Sequence, residues 1–201
     1  MKRPLNFAPK LISETMANIE YLDDIHVYLV DGVIVPSVSK LVAFAVGSTY
    51  ANISPEVLQR AAEYGTSVHN AIEDYESNGA INEELKDQVE RYKILKEENK
   101  LKVASMEQMV SYQKSYCGRY DILDENGILW DMKCTSKVHV ENLEWQLGLY
   151  YLGLGVEKEI GYCIWLPKKG KAKVVEIKPK TNEECKKLVE MYEISFTSNN
   201  E

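Results

Sequence analysis

No run in this 201-residue chain approaches the length of a membrane-spanning helix. Met1-Lys2-Arg3 is followed by no apolar stretch of the kind a signal peptide needs, so a cytoplasmic protein is expected. The four cysteines, Cys117, Cys134, Cys163 and Cys185, lie 17, 29 and 22 positions apart. With no Cys-x-x-Cys and no paired Cys/His spacing, they argue against zinc and for buried free thiols. Positive charge is not in excess either: 24 Lys and Arg against 31 Asp and Glu give a net charge of −7. That balance argues against broad nucleic-acid binding, although a local cluster can override it. What is present is ordinary for a globular protein, with 45% hydrophobic and 27% charged residues in a length that supports one full core. We read a single domain, with residues 1–50 as an N-terminal extension and residues 54–196 as the core.

Residues 118–137, GRYDILDENGILWDMKCTSK, organise that core. Apolar residues alternate on both sides of Glu125-Asn126-Gly127, and glycine accepts the positive φ that ends a three-residue hairpin loop. Such a loop pairs Asp124 with Ile128 and sets Asp121 opposite Asp131. Strand alternation then puts Arg119, Asp121, Leu123, Leu129, Asp131 and Lys133 on one face. Tyr120, Ile122, Ile128, Trp130, Met132 and Cys134 take the other, apolar face. Directly opposed carboxylates destabilise a sheet unless something neutralises them. A hard divalent cation such as Mg²⁺, which prefers oxygen ligands, does so. Lys133 would stand beside it, holding a water or stabilising charge. Two plainer readings remain at this level. Lys133 can simply pair with either aspartate, and a four-residue loop would send the two carboxylates to opposite faces.

Elsewhere the signals are local. Residues 13–21 suggest a short helix. Residues 26–35 form a hairpin around Asp31-Gly32, with His26 a structural strand residue. Ser37 or Ser39 can cap a short apolar helix over 40–46, ended by Gly47. Ser54-Pro55-Glu56 starts a helix towards Tyr64. Gly65 interrupts it, and Thr66 caps a second helix ending near Gly79. On that helix His69 and Glu73, four apart, share a face and could serve a metal or a reacting water, or make a surface contact. Residues 82–100 read as a long charged helix with Leu85, Val89, Tyr92, Ile94 and Leu95 inward. Residues 102–112 read as a strand. His139 falls in a loop after the central hairpin and reads as solvated. Residues 141–155 form an amphipathic helix on which Gln146 and Tyr150 point the same way. They could reach a phosphate or orient the lysine, or be a boundary Gln and a core Tyr. Residues 160–166 and 172–177 form a hairpin, followed by a helix over 182–194 with an acidic first turn and frayed residues 197–201. Lys168, Lys169, Lys171, Lys173, Lys178 and Lys180 make the one basic cluster. It could track a phosphate backbone or guard an edge strand against aggregation.

Read in order, Gly65-x-x-x-His69, Asp121, Asp131-Met132-Lys133 and Gln146-x-x-x-Tyr150 resemble the PD-(D/E)xK nuclease superfamily. The branch is that of RecB-type nuclease domains and phage recombination exonucleases. The likeness runs from about Gly65 to Tyr151, and the 26–35 hairpin with Val35-Pro36-Ser37-Val38-Ser39 is similar to the amino-terminal part of phage members. The resemblance implies an α/β fold, a central mixed sheet flanked by helices (a restriction-endonuclease-like core) with an N-terminal β-hairpin extension. It implies one or two Mg²⁺ or Mn²⁺ ions held by His69, Asp121, Asp131 and the Met132 carbonyl. Lys133 takes the place of the catalytic lysine, Gln146 and Tyr150 lie near the DNA backbone, and Glu73 is left for an outer or second-metal role. Arg119, Lys168, Lys169 and Lys171 are the expected DNA contacts. The implied activity is Mg-dependent DNA hydrolysis by a phage or prophage exonuclease acting in recombination, in the bacterial or phage-infected cytoplasm. DNA is the expected partner, with a single-strand annealing protein and self-association as further partners of that branch. The alternatives are a silent DNA-binding module of the same fold or a structure-specific endonuclease. Some relatives carry an iron–sulfur cluster on a cysteine pattern that this chain lacks, so none is expected.

Overall fold

A computed structural model describes residues 17–22, 27–47 and 53–197. Its central hairpin is β5 (Tyr116–Asp124) and β6 (Leu129–Lys133). Gly127 closes the turn at φ 71°, a left-handed conformation that costs glycine little. Asp124 N–H donates to the Ile128 carbonyl at 3.0 Å and Gly127 N–H to the Asp124 carbonyl at 2.9 Å, the expected three-residue loop. Ile122 pairs with Trp130 and Leu123 with Leu129. Extending that register sets Asp121 across from Asp131. The Asp124 carboxylate fastens the turn by accepting from Asn126 N–H and Ile128 N–H at 2.8 Å each.

Around this hairpin stand β4 (Val103–Tyr112), β7 (Gly161–Trp165) and β8 (Lys173–Ile177), in the order β4-β5-β6-β7-β8. β6 and β7 run parallel and the other neighbours antiparallel, so the sheet is mixed. Helices cover both faces. α4 (Val140–Gly153) lies over one, with α5 (Asn182–Thr197) and α1 (Val38–Val46) packed on it. Leu129, Leu143, Leu147, Tyr151, Cys163 and Leu188 belong to that core. α2 (Pro55–Asn78) and α3 (Lys86–Glu98) supply the other, where Val68, Ile72, Tyr92 and Leu95 meet Ile122, Trp130, Met132 and Ile164. This is the α/β architecture expected from the sequence. Tyr120 departs from the strand alternation by packing in the α4-side core, its hydroxyl 2.8 Å from Ser105 Oγ. The neighbouring strand is irregular there, with Glu107 at φ 50°.

The N-terminal sheet has three strands, β1 (Ile19–Leu22), β2 (Val27–Val30) and β3 (Val33–Val35). Asp31 and Gly32 turn the β2–β3 hairpin at φ 49° and 75°, as the Asp-Gly pair requires. The helix expected over 13–21 is not formed where the chain is described: Tyr21 sits in β1 opposite Tyr28 of β2, where cross-strand pairing outweighs local propensity. Residues 13–16 and His26 lie outside the described residues, as do 198–201 of the tail expected to fray; Thr197 closes α5. Ser37, not Ser39, caps α1, its hydroxyl accepting from Lys40 N–H at 3.2 Å.

Gly65 does not break the second helix. α2 runs unbroken for 24 residues from a Ser54-Pro55 start to a left-handed Gly79. One interior glycine costs roughly 1 kcal/mol relative to alanine. The burial of Val68, Ala71 and Ile72 on one face holds the helix through it. The charged segment splits into a short 3-10 turn, Glu83–Leu85, capped by Asn82, and α3. Ile94 is exposed rather than inward. The four cysteines are free thiols, three buried and Cys134 half-buried. Among the described residues no helix is long and apolar enough to cross a membrane.

Candidate active site

Asp131 lies in β6, flanked by β5 and β7, and is 2% exposed. An isolated carboxylate there would be costly, so it must be matched. Lys133 Nζ stands 2.7 Å from both of its oxygens, with hydrogen-bond geometry to Oδ1. Gln146 Nε2 of α4 also donates to Oδ1 at 2.9 Å, and lies 3.3 Å from the Tyr150 hydroxyl one turn on. Tyr150 itself is buried against the strand. Gly118 allows this approach: a Cβ there would sit 2.8 Å from the Tyr150 ring and 2.6 Å from Val38.

Across from it, Asp121 contacts α2 through His69. Its Oδ2 accepts the Met132 N–H, and its Oδ1 lies 3.6 Å from His69 Nδ1. The second carboxylate on that imidazole is Glu107 of β4, with Oε1 at 3.5 Å. His69 Nε2 faces the Met132 carbonyl at 3.1 Å, which makes it the donor to that oxygen. Arg119 Nε lies 3.0 Å from Glu107 Oε2, with half its side chain in solvent. Ligand atoms of His69, Glu107 and Asp121 all lie within 4.8 Å of one another. This cluster could hold a metal ion. Its donor set, two carboxylates and an imidazole, suits a hard or borderline divalent cation. Glu107 Oε1 is buried without a hydrogen-bond partner, an oxygen that a cation would satisfy.

The geometry departs from the sequence expectation in two ways. The cradle joins Asp121 to Glu107 and His69, while Asp131 is held one strand away by Lys133 and Gln146. Glu73 is exposed on α2 and is not part of the cluster. Glu107 escaped notice because nothing in the 102–112 pattern marks it. Its left-handed backbone, φ 50° in mid-strand, is a tertiary feature. His139 is the residue before α4 and is half-buried rather than solvated.

Electrostatics follow from this packing. Burial pulls the His69 imidazole pKa down, but Asp121 and Glu107 outweigh it and hold it up at about 9. Burial raises the Asp131 carboxyl, as does Asp121, against the pull of Lys133. Burial would lower Lys133, yet Asp131 and Asp121 hold it well above the ordinary lysine value. The two therefore form an ion pair at neutral pH. Burial, then Asp121 and Asp131, push the Tyr150 phenol far up, so it stays protonated.

The expected basic contacts occupy the loop after β7. Lys168, Lys169 and Lys171 are exposed there, with Lys168 Nζ 4.9 Å from the centre of the Tyr64 ring. Arg91 of α3 pins this loop, donating to the carbonyls of Pro167 and Gly170 at 2.8 Å each. Leu166 N–H bonds the Lys133 carbonyl at 2.8 Å, so the loop leaves the sheet where β6 delivers its lysine.

No protein-family model matches this chain, and no curated protein matches it in sequence. Among solved structures it is similar to that of a protein designated SSO0001, at 15% identity and a TM-score of 0.38, over 81% of this chain and 84% of that one. It is also similar to a phage related exonuclease from Haemophilus somnus 129PT, at 11% identity and a TM-score of 0.43, over 78% of this chain and 88% of that one.

Proposed function

We propose that this chain is a metal-dependent nuclease that hydrolyses DNA phosphodiester bonds. One observation carries the reading: His69, Glu107 and Asp121 converge within 4.8 Å while the Asp131–Lys133 pair lies on the adjoining strand. His69, Glu107 and Asp121 would hold Mg²⁺ or Mn²⁺, with Asp131 and the Met132 carbonyl as the further oxygens that the resemblance implies. An ion held there would supply Lewis-acid polarisation of the phosphoryl oxygens.

The chain's own residues divide the remaining work. Lys133 keeps its proton, so it acts as a fixed cation and donor beside the phosphate, where charge builds in the transition state. Gln146 fixes the rotamer of Asp131, and Tyr150 supports Gln146 from below as a neutral phenol. Arg119 and the loop lysines offer positive charge to the phosphates on either side. The resemblance seen in the sequence extends the proposal to an exonuclease of the phage recombination type.

A plain ion cluster is the competing reading. It is favoured by the balance of His69, Lys133 and Arg119 against Glu107, Asp121 and Asp131, three cations for three anions. End-labelled linear DNA and a closed circle, each digested with Mg²⁺, Mn²⁺ or a chelator, separate the two. Metal-dependent loss of the linear DNA is expected. Intact DNA under every condition, with no heat of metal binding in calorimetry, would overturn the nuclease.

A further inference from the structure

The N-terminal sheet has an apolar face that joins no core. Opposed residues of neighbouring strands share a side of a sheet, and so do residues two apart along one strand. Ile19, Tyr28, Val30 and Val35 therefore form one side of this sheet, and they pack with Cys117 of β5. Glu20, Leu22, Val27, Leu29 and Ile34 form the other. Among the described residues, none of its four apolar side chains belongs to a hydrophobic core or packs against one. Ile34 is 70% exposed and Leu22 42%. A sheet with one face in water alternates apolar and polar residues, whereas strands covered on both faces read as near-continuous apolar runs. Val27-Tyr28-Leu29-Val30 and Val33-Ile34-Val35 are such runs. The composition of these strands thus calls for a second covering layer.

We propose that residues 1–16, which lie outside the described residues, are the occupant of this face. They carry Leu5, Phe7, Leu11 and Ile12 among the basic Lys2, Arg3 and Lys10. Ala17 and Asn18 join them directly to β1, an outer strand of the sheet. The connection is long enough. The five steps from Ile12 to Ala17 span at most roughly 17 Å, and the outer strands of a three-stranded sheet stand only about 10 Å apart. Charge agrees with this occupant. Glu20, in register with Leu29 and Ile34, is the one charged strand residue on the open face, and Lys10 stands next to Leu11. Packing the face on a second copy of itself would add another Glu20 and no cation. The cover also bears on the rest of the fold. β3 leads to Pro36, whose carbonyl accepts Cys117 N–H at 3.0 Å, so what steadies this sheet steadies β5 beside Gly118.

The test pairs Ile34→Cys with Leu5→Cys, Phe7→Cys or Leu11→Cys in the full chain, oxidised with glutathione disulfide at low protein concentration. At least one pair should close an intramolecular disulfide, seen as a monomer on a non-reducing gel and as a linked pair of tryptic peptides. Ile34→Cys alone should give no such link to residues 1–16. Disulfide-bonded dimers joined through Ile34→Cys would assign the face to a second copy and overturn the proposal. So would the absence of a link in all three pairs. Urea unfolding of Phe7→Ser, Leu11→Ser and Ile34→Ser, singly and combined, gives an independent reading. Residues in contact do not add. The midpoint shift of a double variant should therefore fall well short of the sum of its two single shifts. Full additivity of both Phe7 and Leu11 with Ile34 overturns the proposal.

Discussion

Gln146 Nε2 lies 2.9 Å from Asp131 Oδ1, the same oxygen that accepts the Lys133 ammonium at 2.7 Å. A helix side chain and a strand side chain thus converge on one buried carboxylate. The helix on which Gln146 sits therefore sets the position of the strand residues it touches. On the proposed function, this relationship would make Gln146 a positioning residue. Groups of this kind typically contribute 10–100-fold to metal affinity or activity. Gln146→Ala should lower cleavage by about 10–100-fold. Its KM should change little if the loss is in orientation rather than substrate binding. A variant with native kcat would show that Asp131 needs no second donor.

Lys133→Ala should abolish most cleavage, by about 10²–10³-fold, the cost of removing one preorganised stabiliser of transition-state charge. The fold should survive, because burial already raises the Asp131 carboxyl and it can take up a proton when its partner is gone. Circular dichroism and a Mn²⁺ titration check that condition. Full cleavage by this variant sinks the assignment of Lys133.

Glu107→Gln removes a charge from the proposed metal-binding cluster at nearly constant shape. Calorimetry should show Mn²⁺ affinity falling at least about tenfold, as expected for loss of one charged oxygen ligand from a hard-cation site. Arg119 loses its partner in the same variant, so weaker DNA binding alone is not diagnostic. Unchanged Mn²⁺ affinity would place the ion elsewhere.

His69 titrates at about 9 in the folded, metal-free protein against 6.5 for the unperturbed imidazole. The folded state holds a proton that the unfolded chain releases as pH rises through 6.5. The stabilisation from His69 is therefore complete below 6.5, declines between 6.5 and 9, and is gone above. In a chelator, urea unfolding of the native protein should lose stability across that window more steeply than His69→Asn. Parallel slopes would show that the carboxylates do not hold the proton.

Alanine at Lys168, Lys169 and Lys171 together should weaken DNA binding and flatten its salt dependence. Each lost phosphate contact removes about 0.7–0.9 from the slope of log K against log salt, so a change of roughly 2–3 is expected. An unchanged slope with reduced solubility would assign these lysines to guarding the sheet edge instead.

Short-range chemistry was legible in the sequence. Gly127 specified a three-residue turn, and that turn fixed the register that opposes Asp121 and Asp131. Asp31-Gly32, Ser54-Pro55 and Gly79 likewise marked their turn and helix ends. Gly65 misled because a helix boundary is decided by the burial of Val68, Ala71 and Ile72 as well as by one weak residue. Tyr21 misled because its partner, Tyr28, lies on another strand.

The sequence by itself determined the strand pair, its loop and the presence of Asp131, Lys133, Gln146 and Tyr150 at usable spacings. Only the tertiary structure decided which groups meet. It turned Asp121 towards His69, brought Glu107 across from β4 on a left-handed residue, and left Glu73 in solvent. The reason is geometric: spacing along a chain fixes neighbours within a turn or helix, whereas contacts between α2, β4 and β5 depend on how two cores pack against one sheet.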